Sequence, residues 1–292
     1  MQGSAPAHCQ ALSQVYRPGP AEHITIPKNQ REERMGTVVA LAGQIGGAKL
    51  AHGLARLRGK HFAVIVNTGD DSEVLGFSIS PDIDIMLYTL AGIANPSRGW
   101  EPVDETFGFY EMVKRLGGPQ RTPLGDRGLA AQALREDRRP TEIALDFCNA
   151  LDIEARVLPM SDDPVRTQLI TEAGAVSYSE YFEDLGCERA VSGFFYAGAD
   201  TARISDEVME ALYAPDLEAI VICPSNPYHT IRPILEVNGM RELLKSRTFC
   251  TNLATRSRRA AWPWSTTSSS TASCSTARTK RSPRACAPAA SR

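Results

Sequence analysis

The sequence predicts an α/β fold, with a mostly parallel sheet, helices on both faces and a smaller β-rich insertion. Three observations carry this. Two short apolar runs, Thr37–Ala42 and Phe62–Val66, flank a glycine turn and a helical segment, which is the order of a βαβ unit. The second run has no polar residue, as expected of a parallel strand covered on both faces. A third run, 219–223, stops at Pro224 and reads the same way. The expected architecture is therefore Rossmann-like.

Each further element has its own signal. A helix is expected from Gly46 or Gly47 to Leu57, and a polar loop over 67–73. The segment 82–91 reads as a helix with an acidic start, which suits the positive end of the helix dipole. In 105–116, Phe109, Met112, Val113 and Leu116 form an i, i+3, i+4, i+7 stripe. Residues 126–136 are rich in alanine and leucine, and Thr141 is placed to cap a helix carrying Ala144, Phe147, Cys148 and Leu151 on one face. Four short strands within 155–196 make the expected insertion. Ser205, followed by Asp206 and Glu207, opens another helix.

Charge divides the 292 residues into unlike parts. Residues 246–292 hold nine Lys or Arg and no Asp or Glu, so 23 basic and 34 acidic residues leave 1–245 at −11. An acidic body argues against a broad nucleic-acid-binding face, while leaving room for one nucleotide. Residues 1–35 show no period and are expected to be a disordered extension. After Lys245 the pattern breaks abruptly into a basic Ser/Thr-rich tail, read as disordered or as the product of a shifted reading frame. The domain proper is expected over 36–245. The seven cysteines form no CxxC pair and no zinc spacing, so reduced thiols and a cytoplasmic location are expected. No apolar run reaches the roughly 18–20 residues of a membrane helix.

The candidate chemistry sits in polar loops at element ends. Gly43-Gln44-Ile45-Gly46-Gly47-Ala48-Lys49 follows a strand and opens a helix, where free N–H groups and a lysine can meet a phosphate. A tight turn with a solvent-facing lysine is the plainer alternative. Asn67-Thr68-Gly69-Asp70-Asp71 lies past the second strand, at the edge where open α/β sheets place ligands. Ser80-Pro81-Asp82-Ile83-Asp84 offers two carboxylates to a cation, or simply caps a helix. Leu124-Gly125-Asp126-Arg127 can grip a phosphate or form a surface ion pair. Pro159-Met160-Ser161-Asp162-Asp163-Pro164 again pairs two acids, and Pro224-Ser225-Asn226-Pro227 follows a buried strand. Of five histidines, only His229 lies near such a loop.

Taken in order, the runs 66–71, 79–84, 124–127, 158–164 and 222–227 resemble the 2-phospho-L-lactate transferase family of coenzyme F420 biosynthesis, including its phosphoenolpyruvate-using members. The likeness extends over 37–245. It implies a Mg²⁺-dependent enzyme. Such an enzyme takes a guanosine diphosphate ester of a three-carbon acid and passes the phospho-acid unit to the ribityl hydroxyl of the deazaflavin Fo, releasing GMP. The resemblance implies deazaflavin contacts and catalysis at Asp84 and Arg127. It implies the nucleotide phosphates at Gly43, Gly46, Gly47 and Lys49, and guanosine contacts at Ser225 and Asn226. Asn67 and Asp70 join the nucleotide set, and Asp82, Asp84, Asp162 and Asp163 are the metal candidates. A homodimer is plausible from the family. Neither a nucleic-acid nor a membrane partner is expected.

Three departures stand out. The largest is that the family pattern continues past Lys245 with another strand and a glycine-rich loop, where this sequence has the basic Ser/Thr-rich tail. Gln44 occupies a loop position where the family has glycine, and Arg232 another. A catalytically inactive nucleotide-binding protein of the same fold is the alternative. A dehydrogenase-like Rossmann protein fits less well, because the glycine spacing differs and Asn67, not an acid, ends the second strand.

Overall fold

The computed structural model describes residues 35–118, 123–133, 138–184 and 187–252. The chain divides into two compact units, Met1–Ala254 and Thr255–Arg292, and all described residues lie in the first. The extension expected over 1–34 and the tail beyond 252 fall outside them.

The central sheet is parallel and four-stranded. Its strands are β1 (Thr37–Ala42), β2 (Phe62–Val66), β5 (Arg156–Pro159) and β9 (Leu217–Ile222), in the order β5-β2-β1-β9. Alternation along β1 and β2 divides their side chains between two cores. Val38, Ala40, Phe62 and Val64 face α1 (Gln44–Arg58), α2 (Pro81–Leu90) and α5 (Pro140–Ala150). Val39, Leu41, Ala63 and Ile65 face α6 (Asp206–Tyr213), α7 (Arg232–Glu236) and α8 (Met240–Asn252). Both faces are thus covered, which is why β2 is apolar throughout. Ile65 is fully buried, and Ile65→Ala would cost about 2–5 kcal/mol. The outer strand β9 is only partly buried along its length.

The helix starts follow their caps. Ser205 accepts the Val208 N–H and opens α6, as its sequence predicts. Helix α5 begins at Pro140, and its Thr141 N–H is taken by Asp162 rather than by a local cap. Ala144 and Cys148 are buried on its expected face, with Phe147 and Leu151 packed beside them. Helix α8 runs on to Asn252, past Lys245.

Three regions differ in detail from the sequence reading. The loop expected at 67–73 leads into a hairpin, β3 (Ser72–Val74) and β4 (Phe77–Ile79). Leu75 and Gly76 turn it with φ of 53° and 82°. Positive φ at both central residues matches the right-handed strand twist, but strands of three residues leave too short a pattern to read. Helix α3 (Gly108–Arg115) forms, yet none of its residues is buried, and Leu116, just past it, is 80% exposed. The β-rich region starts later than residue 155, because β5 joins the parallel sheet. A separate antiparallel sheet contains β6 (Arg166–Thr171), β7 (Gly174–Ser177) and β8 (Val191–Ala197), in the order β7-β6-β8. Helix α4 spans Asp126–Ala133; the rest of the expected 126–136 helix lies outside the described residues.

Candidate functional site

The carboxyl ends of β1, β2 and β9 deliver three loops to one rim, and the start of α2 closes it. Asn67 continues β2 by donating its N–H to Ala42 O at 3.2 Å. Its side chain is wholly buried. Oδ1 accepts the Gly69 N–H at 2.9 Å, tightening the turn, and Nδ2 donates to Asp82 Oδ2 at 2.9 Å. The other oxygen of Asp82 accepts the Gln44 N–H at the start of α1, also at 2.9 Å. A carboxylate from α2 therefore sits at the positive end of α1.

The glycines of this turn make room for protein. A side chain at Gly43 would run into Asp82 and Thr230, one at Gly46 into the Pro224 carbonyl, and one at Gly47 into Ser225. Ser225 Oγ donates to Gly43 O at 2.9 Å, tying β9's loop to β1's. Asn226 Oδ1 accepts the N–H groups of Tyr228 and His229 and so opens the π-helical turn Pro227–Ile231. That turn carries the imidazole of His229 into the rim.

The electrostatics are those of two acids in one buried place. Asp70 and Asp82 are both held above the ordinary carboxylate range, first of all by burial. Asp82 is pushed up to about 7, with the charge of Asp70 adding to the effect and the Asn67 and Gln44 hydrogen bonds opposing it. His229 Nε2 lies 2.8 Å from Asp70 Oδ1, and its Nδ1 lies 2.8 Å from the Gln44 amide nitrogen. The Tyr178 ring covers the imidazole, with centroids 3.5 Å apart. Burial, then the charges of Asp70, Cys187 and Asp82, keep the Tyr178 hydroxyl protonated. Nearby, Ser80 Oγ donates to Asp71 at 2.9 Å, and Gln132 from α4 donates to the buried Asp84 at 2.9 Å.

The structure thus brings together Gly43, Gly46, Gly47, Asn67, Asp70, Asp82, Ser225 and Asn226, with Asp84 one helical step away. Other predicted residues lie elsewhere. Lys49 is exposed on α1. Arg127 is exposed, with its guanidinium on Val103 O and its N–H on Glu105 at 2.9 Å. Asp162 holds the Thr141 N–H at 2.8 Å and Arg139 at 3.1 Å, while Asp163 holds the Arg203 N–H at 2.8 Å. Tyr178, Gln132 and Thr230 escaped the sequence reading, since each comes from a different element and has no local motif around it. Among the described residues, no group of three or more His, Cys, Asp or Glu is arranged to hold a metal ion. Nor is any described helix long and apolar enough to cross a membrane.

Comparison with known proteins points to one family. The sequence profile of the family described as 2-phospho-L-lactate transferase CofD matches residues 38–257. The 2-phospho-L-lactate transferase of Methanosarcina mazei is 36% identical over 216 residues, covering 72% of this chain and 71% of the relative. The phosphoenolpyruvate transferase of Kitasatospora aureofaciens is 37% identical over 217 residues, covering 70% and 67%. A crystal structure of a Bacillus halodurans protein shares the fold with a TM-score of 0.50 at 18% identity. That match covers 72% of this chain, which spans 65% of the Bacillus chain's length.

Proposed function

Because this chain belongs to the 2-phospho-L-lactate transferase CofD family, we propose that it transfers a phospho-three-carbon-acid unit from a guanosine diphosphate ester to the ribityl hydroxyl of the deazaflavin Fo, releasing GMP. The observation that carries this reading is the shared rim. Loops from β1, β2 and β9 and the start of α2 converge on Asp70 and Asp82. The relatives are named for two different acids, so the acid carried is left to experiment.

In the reaction, the ribityl oxygen forms a bond to the phosphorus that bears the acid. The bond from that phosphorus to the GMP oxygen breaks, and the hydroxyl proton must leave. Asp84 is the proposed acceptor. The Gln132 amide donates to one oxygen of its carboxylate at 2.9 Å and so orients it. Such transfers depend on positioning and charge stabilisation more than on a covalent nucleophile. Gly43, Gly46 and Gly47 would line the phosphate side, and Ser225 and Asn226 the guanosine side.

Mg²⁺ fits the acids in kind. Burial and mutual repulsion disfavour two negative charges at Asp70 and Asp82, and a divalent cation reverses that sign. Asp82, with Asp84 on the same helix start, would hold the ion, which when bound would polarise the transferred phosphoryl group. Asp162 and Asp163 already have arginine and N–H partners, so the metal reading draws its support from the α2 pair.

The test is to incubate the chain with Fo, Mg²⁺ and the guanylylated esters of phospholactate, phosphoenolpyruvate or 3-phosphoglycerate, and to follow GMP. Release with at least one ester is expected. A folded sample that binds guanosine nucleotides yet releases no GMP with any of them would favour the inactive nucleotide-binding alternative.

A further inference from the structure

Within residues 43–47, the one left-handed backbone position is not a glycine. Gln44 has φ +55°. Gly43 is extended at φ −174°, and neither Gly46 nor Gly47 has positive φ. Their missing side chains answer a need for space against Asp82, Pro224 and Ser225. The chain therefore places glycine at three neighbouring positions and a long side chain at the position where glycine would relieve strain. Strain of this kind persists only where the surroundings impose it, and it concentrates at functional sites.

What holds Gln44 there is visible at both ends of the residue. Its N–H is taken by Asp82, and its amide nitrogen meets His229 Nδ1 at 2.8 Å. The other ring nitrogen of His229 faces Asp70 at 2.8 Å, and Tyr178 covers the ring face. The Gln44 amide nitrogen can only donate, so Nδ1 accepts from it and Nε2 carries the proton that faces Asp70. The imidazole is thus held at Nδ1 by Gln44, with Nε2 against Asp70 and Tyr178 on one face, and its orientation is set by a residue 185 positions away in the chain.

We propose that Gln44 is a positioning residue for the transfer reaction: its amide fixes the tautomer and orientation of His229, which in turn fixes the Asp70 carboxylate at the rim. This rests on the transferase reading above. Residues that orient a working group from behind it typically contribute about 10–100-fold to activity or ligand affinity.

The experiment uses the full chain and two variants. Gln44→Gly relieves the backbone and removes the amide, whereas Gln44→Met keeps the length and loses only the amide. Long-range ¹⁵N–¹H spectra of the imidazoles, with His229 assigned by its loss in His229→Gln, report the tautomer without any substrate. In the wild type a single Nε2–H form is expected, and in both variants a mixture. In GMP release, kcat should fall about tenfold in both variants, with KM for the guanosine ester within about twofold, while the thermal midpoint of Gln44→Gly should be no lower than that of the wild type. Unchanged His229 signals together with wild-type kcat in Gln44→Met would overturn the proposal. If the wild type itself releases no GMP, the transferase reading fails separately. The ring spectra then decide alone, and an unchanged tautomer in Gln44→Met overturns the positioning role.

Discussion

Two acidic loops of this chain look alike as sequence and behave differently as structure. Ser80-Pro81-Asp82-Ile83-Asp84 and Pro159-Met160-Ser161-Asp162-Asp163-Pro164 each follow a strand, each contain proline and each present two carboxylates. In the second loop both acids are answered by positive groups. Asp162 receives a helix N–H and Arg139, and Asp163 receives the Arg203 N–H. In the first loop Asp82 is buried beside another acid and receives amide hydrogen bonds but no arginine, and its carboxyl is pushed up to about 7. Acids that are fully answered by their own protein hold the architecture together. An acid buried beside another acid, with amide donors but no cation, is one whose charge a cationic ligand would favour.

The comparison can be broken at either loop, and the first loop should give the largest effects. Asp84→Asn removes the proposed proton acceptor while keeping a similar shape. It should lower turnover about 10²–10⁴-fold with little change in the unfolding midpoint. Wild-type turnover at saturating Mg²⁺ would remove Asp84 from the mechanism.

Next comes the pH dependence of stability. Because folding raises the Asp82 carboxyl from 3.8 to about 7, its stabilising contribution is fully present below about pH 4 and is lost as pH rises through 7. Asp70 is shifted in the same direction. Without metal or substrate, the thermal midpoint should therefore be lower at pH 8 than at pH 5, by a free energy on the order of a few kcal/mol. Asp82→Asn should flatten that slope. A variant with the same slope as the wild type would show that Asp82 does not carry it.

The second loop should answer in stability and not in turnover. Asp162→Ala leaves the Thr141 N–H at the start of α5 without its acceptor and should cost about 1 kcal/mol, with kcat within about twofold of wild type. A turnover loss like that of Asp84→Asn would make the two loops equivalent and dissolve the contrast. Asp163→Asn keeps an acceptor for Arg203 N–H and loses only a 3.6 Å pair with a side chain that is 87% exposed. Its effect should be the smallest, below about 0.5 kcal/mol in a denaturant titration.

Much of the rim was legible because it lies where strands end. The apolar runs of β1, β2 and β9 announce their own termini; Gly43 and Asn67 follow directly, and Ser225 follows just past Cys223 and Pro224. Ser205 and its two acids announce α6 in the same way. The hairpin β3–β4 was not legible, since three residues per strand show no period. The exposed stripe around α3 was legible as a helix but not as an unburied one, since a period tells which residues share a face and not what covers it.

By itself, the sequence determined the βαβ core, the family and the polar loops from which a site can be built, because these depend on neighbours a few residues apart. The tertiary structure alone decided which loops meet. It sent Asp162 and Asp163 to arginines, Asp82 to Asn67 and the start of α1, and the Gln44 amide to His229 under Tyr178. These contacts join residues far apart in the chain. A carboxylate's charge state depends on burial and on the charges packed around it, and neither is written in its local sequence.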